Sequence, residues 1–159
     1  MPAWLLKTFE YVIPLVAIAL SYFFGRLQSY NSSKTAALQT RYDTFYVPFI
    51  TLLYCGRLDC LQYSSLDLEG RGKYFDLVMH NLQYIGLGTQ SCVMEFYTEF
   101  LNYLDAEADN LDMTAPAQQL DIVFNKLQYN VLSEARDICR QLHLPDITKT
   151  FLTSCQDAN

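Results

Sequence analysis

Tyr11-Val-Ile-Pro-Leu-Val-Ala-Ile-Ala-Leu-Ser-Tyr-Phe-Phe-Gly25 carries no charge and is closed by Arg26. Alone it would make about 22 Å of helix, short of a hydrocarbon core of about 30 Å. Extended back to Trp4 across Lys7 and Glu10 it reaches about 22 residues and roughly 33 Å, enough for one crossing. Lys7 can snorkel to the headgroups, and the shorter Glu10 can pair with it at i, i+3. Pro14 forfeits the bond to Glu10, a loss that membrane helices tolerate. Trp4, Tyr11 and Tyr22 suit interfacial positions.

Two rivals compete with an anchor. A buried core helix would also be apolar, but this stretch has aromatic ends and no polar face. A cleaved signal peptide would use Ala17-Ile-Ala19, yet that triplet lies inside the apolar run and leads into Leu-Ser-Tyr-Phe-Phe. The expectation is therefore an uncleaved single-pass membrane anchor over 1–28. Arg26, Lys34 and Arg41 follow the run, so the positive excess places the C-terminal side in the cytoplasm. Five cysteines at irregular spacing agree with a reducing compartment. Asn31-Ser-Ser33 is a glycosylation acceptor only in the opposite orientation.

Beyond the anchor, 29–35 reads as a polar juxtamembrane connection that breaks or hinges the helix, 36–145 as one folded domain, and 146–159 as a tail, a short helix or loosely ordered. Hydrophobic residues at 51% against 18% charged mark a chain that folds. Formal net charge is −6, and setting aside Lys7, Arg26 and Glu10 leaves −7 on the rest. A phosphate backbone would be repelled, so nucleic acid is not an expected partner. The distribution is more specific: Lys and Arg are absent from Tyr74 to Asn125, where Asp76, Glu95, Glu99, Asp105, Glu107, Asp109, Asp112 and Asp121 all fall.

Apolar spacings of three and four mark four helices. The first carries Leu38, Tyr42, Phe45, Phe49 and Leu52 or Leu53, kinks at Pro48 and ends near Cys55-Gly56. Asp59 to Gly72 reads as turn-rich. The second runs from Lys73 to Ile85 with Phe75, Val78, Met79 and Leu82 on one face, stopped by Gly86-Leu-Gly88 through positive φ. The third starts at Thr89 with Val93, Phe96, Phe100, Leu101 and Leu104. The fourth, N-capped by Thr114 with Pro116 in its first turn, buries Leu120, Val123, Phe124, Leu127, Val131, Ala135 and Ile138 and ends before Pro145. No stretch alternates with period two. The predicted fold is all-α: a transmembrane helix followed by an antiparallel four-helix bundle.

That topology brings Arg136, Arg140, His143 and Lys149 to the membrane-facing end with Arg26, Lys34 and Arg41, a basic collar for an anionic leaflet. The acidic segment Asp105–Asp112 falls at the far end, beside Arg57, Arg71 and Lys73.

No constellation carries a recognisable chemistry. Asp105-Ala-Glu107-Ala-Asp109 begins like a calcium loop, but Asn110 replaces the turn glycine and Pro116 the bidentate Glu. His80 and His143 lack the Glu-x-x-His spacing of di-iron bundles, and Cys55 and Cys60 have no second pair for zinc. Asp76 and His80 at i, i+4 make an ordinary surface pair rather than an acid-base couple. No cofactor is expected. Tyr46, Tyr97 and Tyr103 flank core phenylalanines and are candidates for a protein interface. The expected role is a membrane-held interaction or scaffold module that binds another protein or self-associates. An enzyme or lipid-handling domain with a pocket between the helices is the alternative.

Overall fold

The computed structural model describes residues 3–56 and 62–149, with side chains from Leu20 onward. Among these residues the chain is all-helical, without strands. It divides into two compact units, Met1–Ala37 and Leu38–Asn159.

The first unit holds most of helix α1 (Ala3–Arg41). Every described side chain from 20 to 37 is exposed. The stretch 29–35, read from sequence as a break or hinge, continues the helix. Ser32 Oγ donates to the Ser29 carbonyl at 3.4 Å and Thr35 Oγ1 to the Asn31 carbonyl at 2.9 Å, so the polar side chains bond back onto their own helix. Among the described residues no helix is long and apolar enough to cross a membrane. The side chains before Leu20, on which most of the expected anchor rests, lie outside those described.

In the second unit, the last turn of α1 passes into a π-helical turn, Tyr42–Tyr46, and then α2 (Val47–Gly56). Where a kink was expected the helix widens: the Val47 N–H reaches the Tyr42 carbonyl, directly before Pro48 forfeits its own bond to Thr44. A 3₁₀ turn, Tyr63–Ser65, leads to α3 (Leu68–His80). This helix starts earlier than the turn-like Gly70-Arg-Gly72 implied, because the Asp67 carboxylate caps it by accepting from the Gly70 N–H at 2.8 Å. It also ends earlier, with the Asn81 amide donating to the Leu77 carbonyl.

A second 3₁₀ turn, Leu82–Tyr84, precedes α4 (Leu87–Ala108), and α5 spans Thr114–Leu142. Gly86 therefore opens α4 rather than stopping α3, and its φ is −71°. Thr114 is the first residue of α5, not its cap. Met113 holds the cap position without a side-chain bond, and Asp112 Oδ1 just before it accepts from the Thr114 N–H at 3.0 Å and its hydroxyl at 2.7 Å. His143, at φ 56°, ends α5, where the Leu144 N–H closes onto the Cys139 carbonyl at 2.9 Å.

α4 and α5 pack antiparallel. Glu95 meets Lys126, Cys92 meets Asn130 and the Thr89 N–H meets Glu134, one chain number falling as the other rises. The apolar face expected for α5 is buried in full. The core is aromatic at its centre: Tyr63 stacks on Phe124 with ring centroids 4.1 Å apart and meets Tyr74 and Phe96 edge-on. Its hydroxyl donates to the Arg71 carbonyl at 2.8 Å, satisfying the polar end of a buried ring. Asp121, also buried, accepts from the Ser64 N–H and hydroxyl, both at 2.7 Å, and pins the 3₁₀ turn to α5.

Candidate docking surface

Of the three tyrosines proposed for an interface, two face inward. Tyr46 is fully buried, and its hydroxyl donates to Glu134 Oε2 at 2.8 Å. Burial first, then the bond to Glu134, pushes its phenol well above the ordinary value, so it stays a donor. Tyr103 is buried beneath Arg71, whose guanidinium carbon lies 4.6 Å from the ring centre. Only Tyr97 is presented to solvent, at 41% exposure. Its ring stacks on Phe75, 5.9 Å away.

Tyr97 borders an open hollow of about 480 Å³ between α3 and α4, lined by Met79, Leu82, Gln90, Val93, Met94 and Tyr97. Met94 is 69% exposed and Leu87 87%. Leu87, Met94 and Leu101 stand seven apart on α4 with Tyr97 between them, so the hollow lies along an outward apolar stripe. Leu82 and Leu101 were expected in the core and are exposed, while Met79 packs against it only in part. Val78, Val93, Phe96 and Phe100 are buried as expected, and Tyr74, Cys92 and Tyr103 join them there. The recurrence of Leu87, Met94 and Leu101 at every second turn was the available sign of a second apolar face.

The basic residues divide. Arg41 Nε donates to the Tyr84 carbonyl at 2.9 Å and its Nη2 to the Tyr46 hydroxyl at 3.3 Å, so this cation serves an internal junction rather than an outward collar. The same junction contains Glu134, which also accepts from the Gly86 N–H at 3.0 Å and the Thr89 N–H at 3.3 Å and so puts a carboxylate on the N-terminus of α4. Arg140 is exposed and 3.4 Å from Asp137. Arg136 has its Nε buried without a partner among the described residues. Arg26, Lys34 and Lys149 are exposed. Burial works to raise the Asp146 carboxyl, but hydrogen bonds from Thr148 and the fields of Arg136 and Arg140 outweigh it and leave it below the ordinary value.

At the other end of α4, Glu107 meets Arg71 at 3.2 Å, so the acidic segment does lie against a cation of α3. Arg71 is only 4% exposed, and its Nε and Nη1 find no partner among the described residues. Arg57 lies outside them.

His80 Nδ1 is 2.8 Å from the backbone carbonyl of Asp76, not its carboxylate, so the pair forms no acid-base couple. Both residues border a shallow, mainly apolar depression with Val47, Pro48, Thr51 and Leu52. Among the described residues no three His, Cys, Asp or Glu side chains gather where a metal could be held. Cys92 and Cys139 are buried free thiols, the second 3.2 Å from the Tyr42 hydroxyl, and Cys55 is an exposed one. Cys60 and Cys155 lie outside the described residues.

Comparison with protein-family profiles, with curated proteins and with solved structures gives no match.

Proposed function

We propose that the protein is a single-pass, membrane-tethered docking module: the N-terminal part of α1 inserts in the bilayer, and the second unit works from the cytoplasmic surface. One observation carries this reading. Leu20, Tyr22, Phe23, Phe24, Leu27 and Tyr30 are all large, apolar or aromatic, and exposed. The first four close the uncharged run that begins at Tyr11, and Leu27 and Tyr30 follow Arg26. A water-soluble surface rarely leaves so much contiguous apolar area open, whereas lipid covers it without cost and favours tyrosines at its boundary. Arg26 lies among these residues and Lys34 one turn beyond Tyr30 on the same helix, where cations near an anionic leaflet contribute about 1 kcal/mol each. Arg140 and Lys149 on the second unit are exposed as well.

On the second unit, a solid aromatic core beside an open apolar hollow favours docking over a catalytic or lipid-holding pocket. Tethering would raise the local concentration of the docking surface for partners at the same membrane.

Membrane extraction tests the proposal. The full chain is expected to stay with the membrane fraction through high salt and alkaline carbonate and to be released by detergent. Ile13→Asp with Ile18→Asp should release it into the salt wash. Recovery of the unaltered chain in the first aqueous supernatant contradicts the tether.

A further inference from the structure

We infer that the hollow between α3 and α4 receives an amphipathic helix bearing lysine or arginine on a partner protein. The inference rests on the docking reading above and names the chemistry of what docks.

The lining is largely apolar. Met79, Leu82, Met94 and Tyr97 surround one hollow, and the stripe from Leu87 to Leu101 extends it along α4. Fourteen residues of helix span about 21 Å, the length of about four turns of a bound helix. Methionine is unbranched and polarizable, which suits a groove that adapts to an incoming apolar face, and Tyr97 offers a rigid ring held in place by Phe75. A helix laid into such a groove is read through apolar residues at i, i+3 or i+4, and i+7.

Charge selects the occupant. No Lys or Arg occurs between Tyr74 and Asn125, the span that contains the entire lining. Asp105 stands one turn beyond Leu101 on the same stripe, and Asp109 and Asp112 follow where α4 ends. All three carboxylates are exposed. None has a cationic partner among the described residues, in contrast to Glu95 with Lys126 and Glu107 with Arg71. The C-terminal end of the α4 dipole adds to the negative field at that end. A second copy would bring the same carboxylates against these, so the face disfavours self-association, while a basic amphipathic helix meets complementary charge at its rim. Its cations should gather at the Asp105–Asp112 end.

The test uses full-length protein labelled with ¹³C at the methionine methyls and held in zwitterionic nanodiscs. The probe is a four-turn helical peptide with leucines at i, i+4, i+7 and i+11 and lysines at one end. A matched peptide carries glutamates in their place. Saturable shifts of the Met79 and Met94 methyls are expected with the lysine peptide. Asp105→Lys with Asp109→Lys should weaken binding roughly tenfold, as rim charges do in combination. Met94→Glu should abolish the Met79 response while leaving the Met113 resonance in its folded position. Absence of a saturable shift, or equal binding of the glutamate peptide, overturns the inference. So does a Met94 shift that depends on protein concentration without any peptide, since the occupant would then be another copy. Loss of membrane attachment leaves the titration unaffected, so failure of the tether and failure of this inference are read separately.

Discussion

Glu134 is the residue on which most of one end of the second unit converges. Its carboxylate serves the Tyr46 hydroxyl and the N–H groups of Gly86 and Thr89, joining the π-helical turn, α4 and α5. Glu134→Ala would leave the Gly86 N–H without an acceptor and reduce the Thr89 N–H and the Tyr46 hydroxyl to their remaining bonds with the Gly86 and Tyr84 carbonyls, a loss of about 2 kcal/mol by urea denaturation. A Cβ at Gly86 would collide with that carboxylate, so Gly86→Ala should cost a similar amount. The two together should cost little more than either alone, because both break the same contact. Fully additive losses would show that Gly86 matters for another reason. Phe124→Ala, removing the ring stacked on Tyr63, should cost about 3–5 kcal/mol in the same assay. None of the partners of Glu134 was legible in the sequence. A glycine before a helix can serve positive φ or close approach with the same letter, and only the fold brings residue 134 to residue 86. The buried face of α5, by contrast, was legible residue by residue, since one long helix with a single wet side repeats its signal over many turns.

At the scale of the helices, the ends hold most of the correctable detail. Asp112 and Asp146 both sit below the ordinary aspartate value of 3.8. For Asp112 the cause is the backbone and side-chain hydrogen bonds from Thr114. A carboxyl lowered by folding stabilises the fold above 3.8, and that contribution fades as pH falls through the lower folded value. Asp112→Asn should therefore reduce stability at neutral pH and flatten the acid limb of a stability-against-pH curve; an unchanged acid limb contradicts the role of those bonds. His143 holds a left-handed conformation that glycine adopts without strain, so His143→Gly should raise stability by about 1 kcal/mol, read as a higher Tm. Asp67→Ala should lower it by about 1 kcal/mol through loss of the α3 cap. The order of the helical stretches was legible from apolar spacing, but not their number, because α1 runs through 29–35 where a break between anchor and first bundle helix was expected. Their ends were not legible either: Gly70 and Gly72 looked like turn residues until Asp67 was seen to cap a helix running through them, and Leu82 and Leu101 gave the same spacing signal whether buried or outward.

For the whole molecule, the fold class was legible because every long stretch repeats with helical period. Attachment of the first unit to a membrane is a reading of hydrophobicity and exposure together, and it has a built-in reporter. Trp4 is the only tryptophan of the chain and stands at the start of the proposed anchor. In a lipid-held helix its indole belongs at the boundary between headgroups and acyl chains. The most direct measurement is the fluorescence of Trp4 in full-length protein reconstituted into vesicles whose lipids carry bromine at different depths along the acyl chain. A lipid-held anchor gives blue-shifted emission, quenched most by bromines nearest the headgroups and shielded from aqueous iodide. Emission that iodide quenches freely and brominated lipids leave unchanged would place Trp4 in water and contradict it.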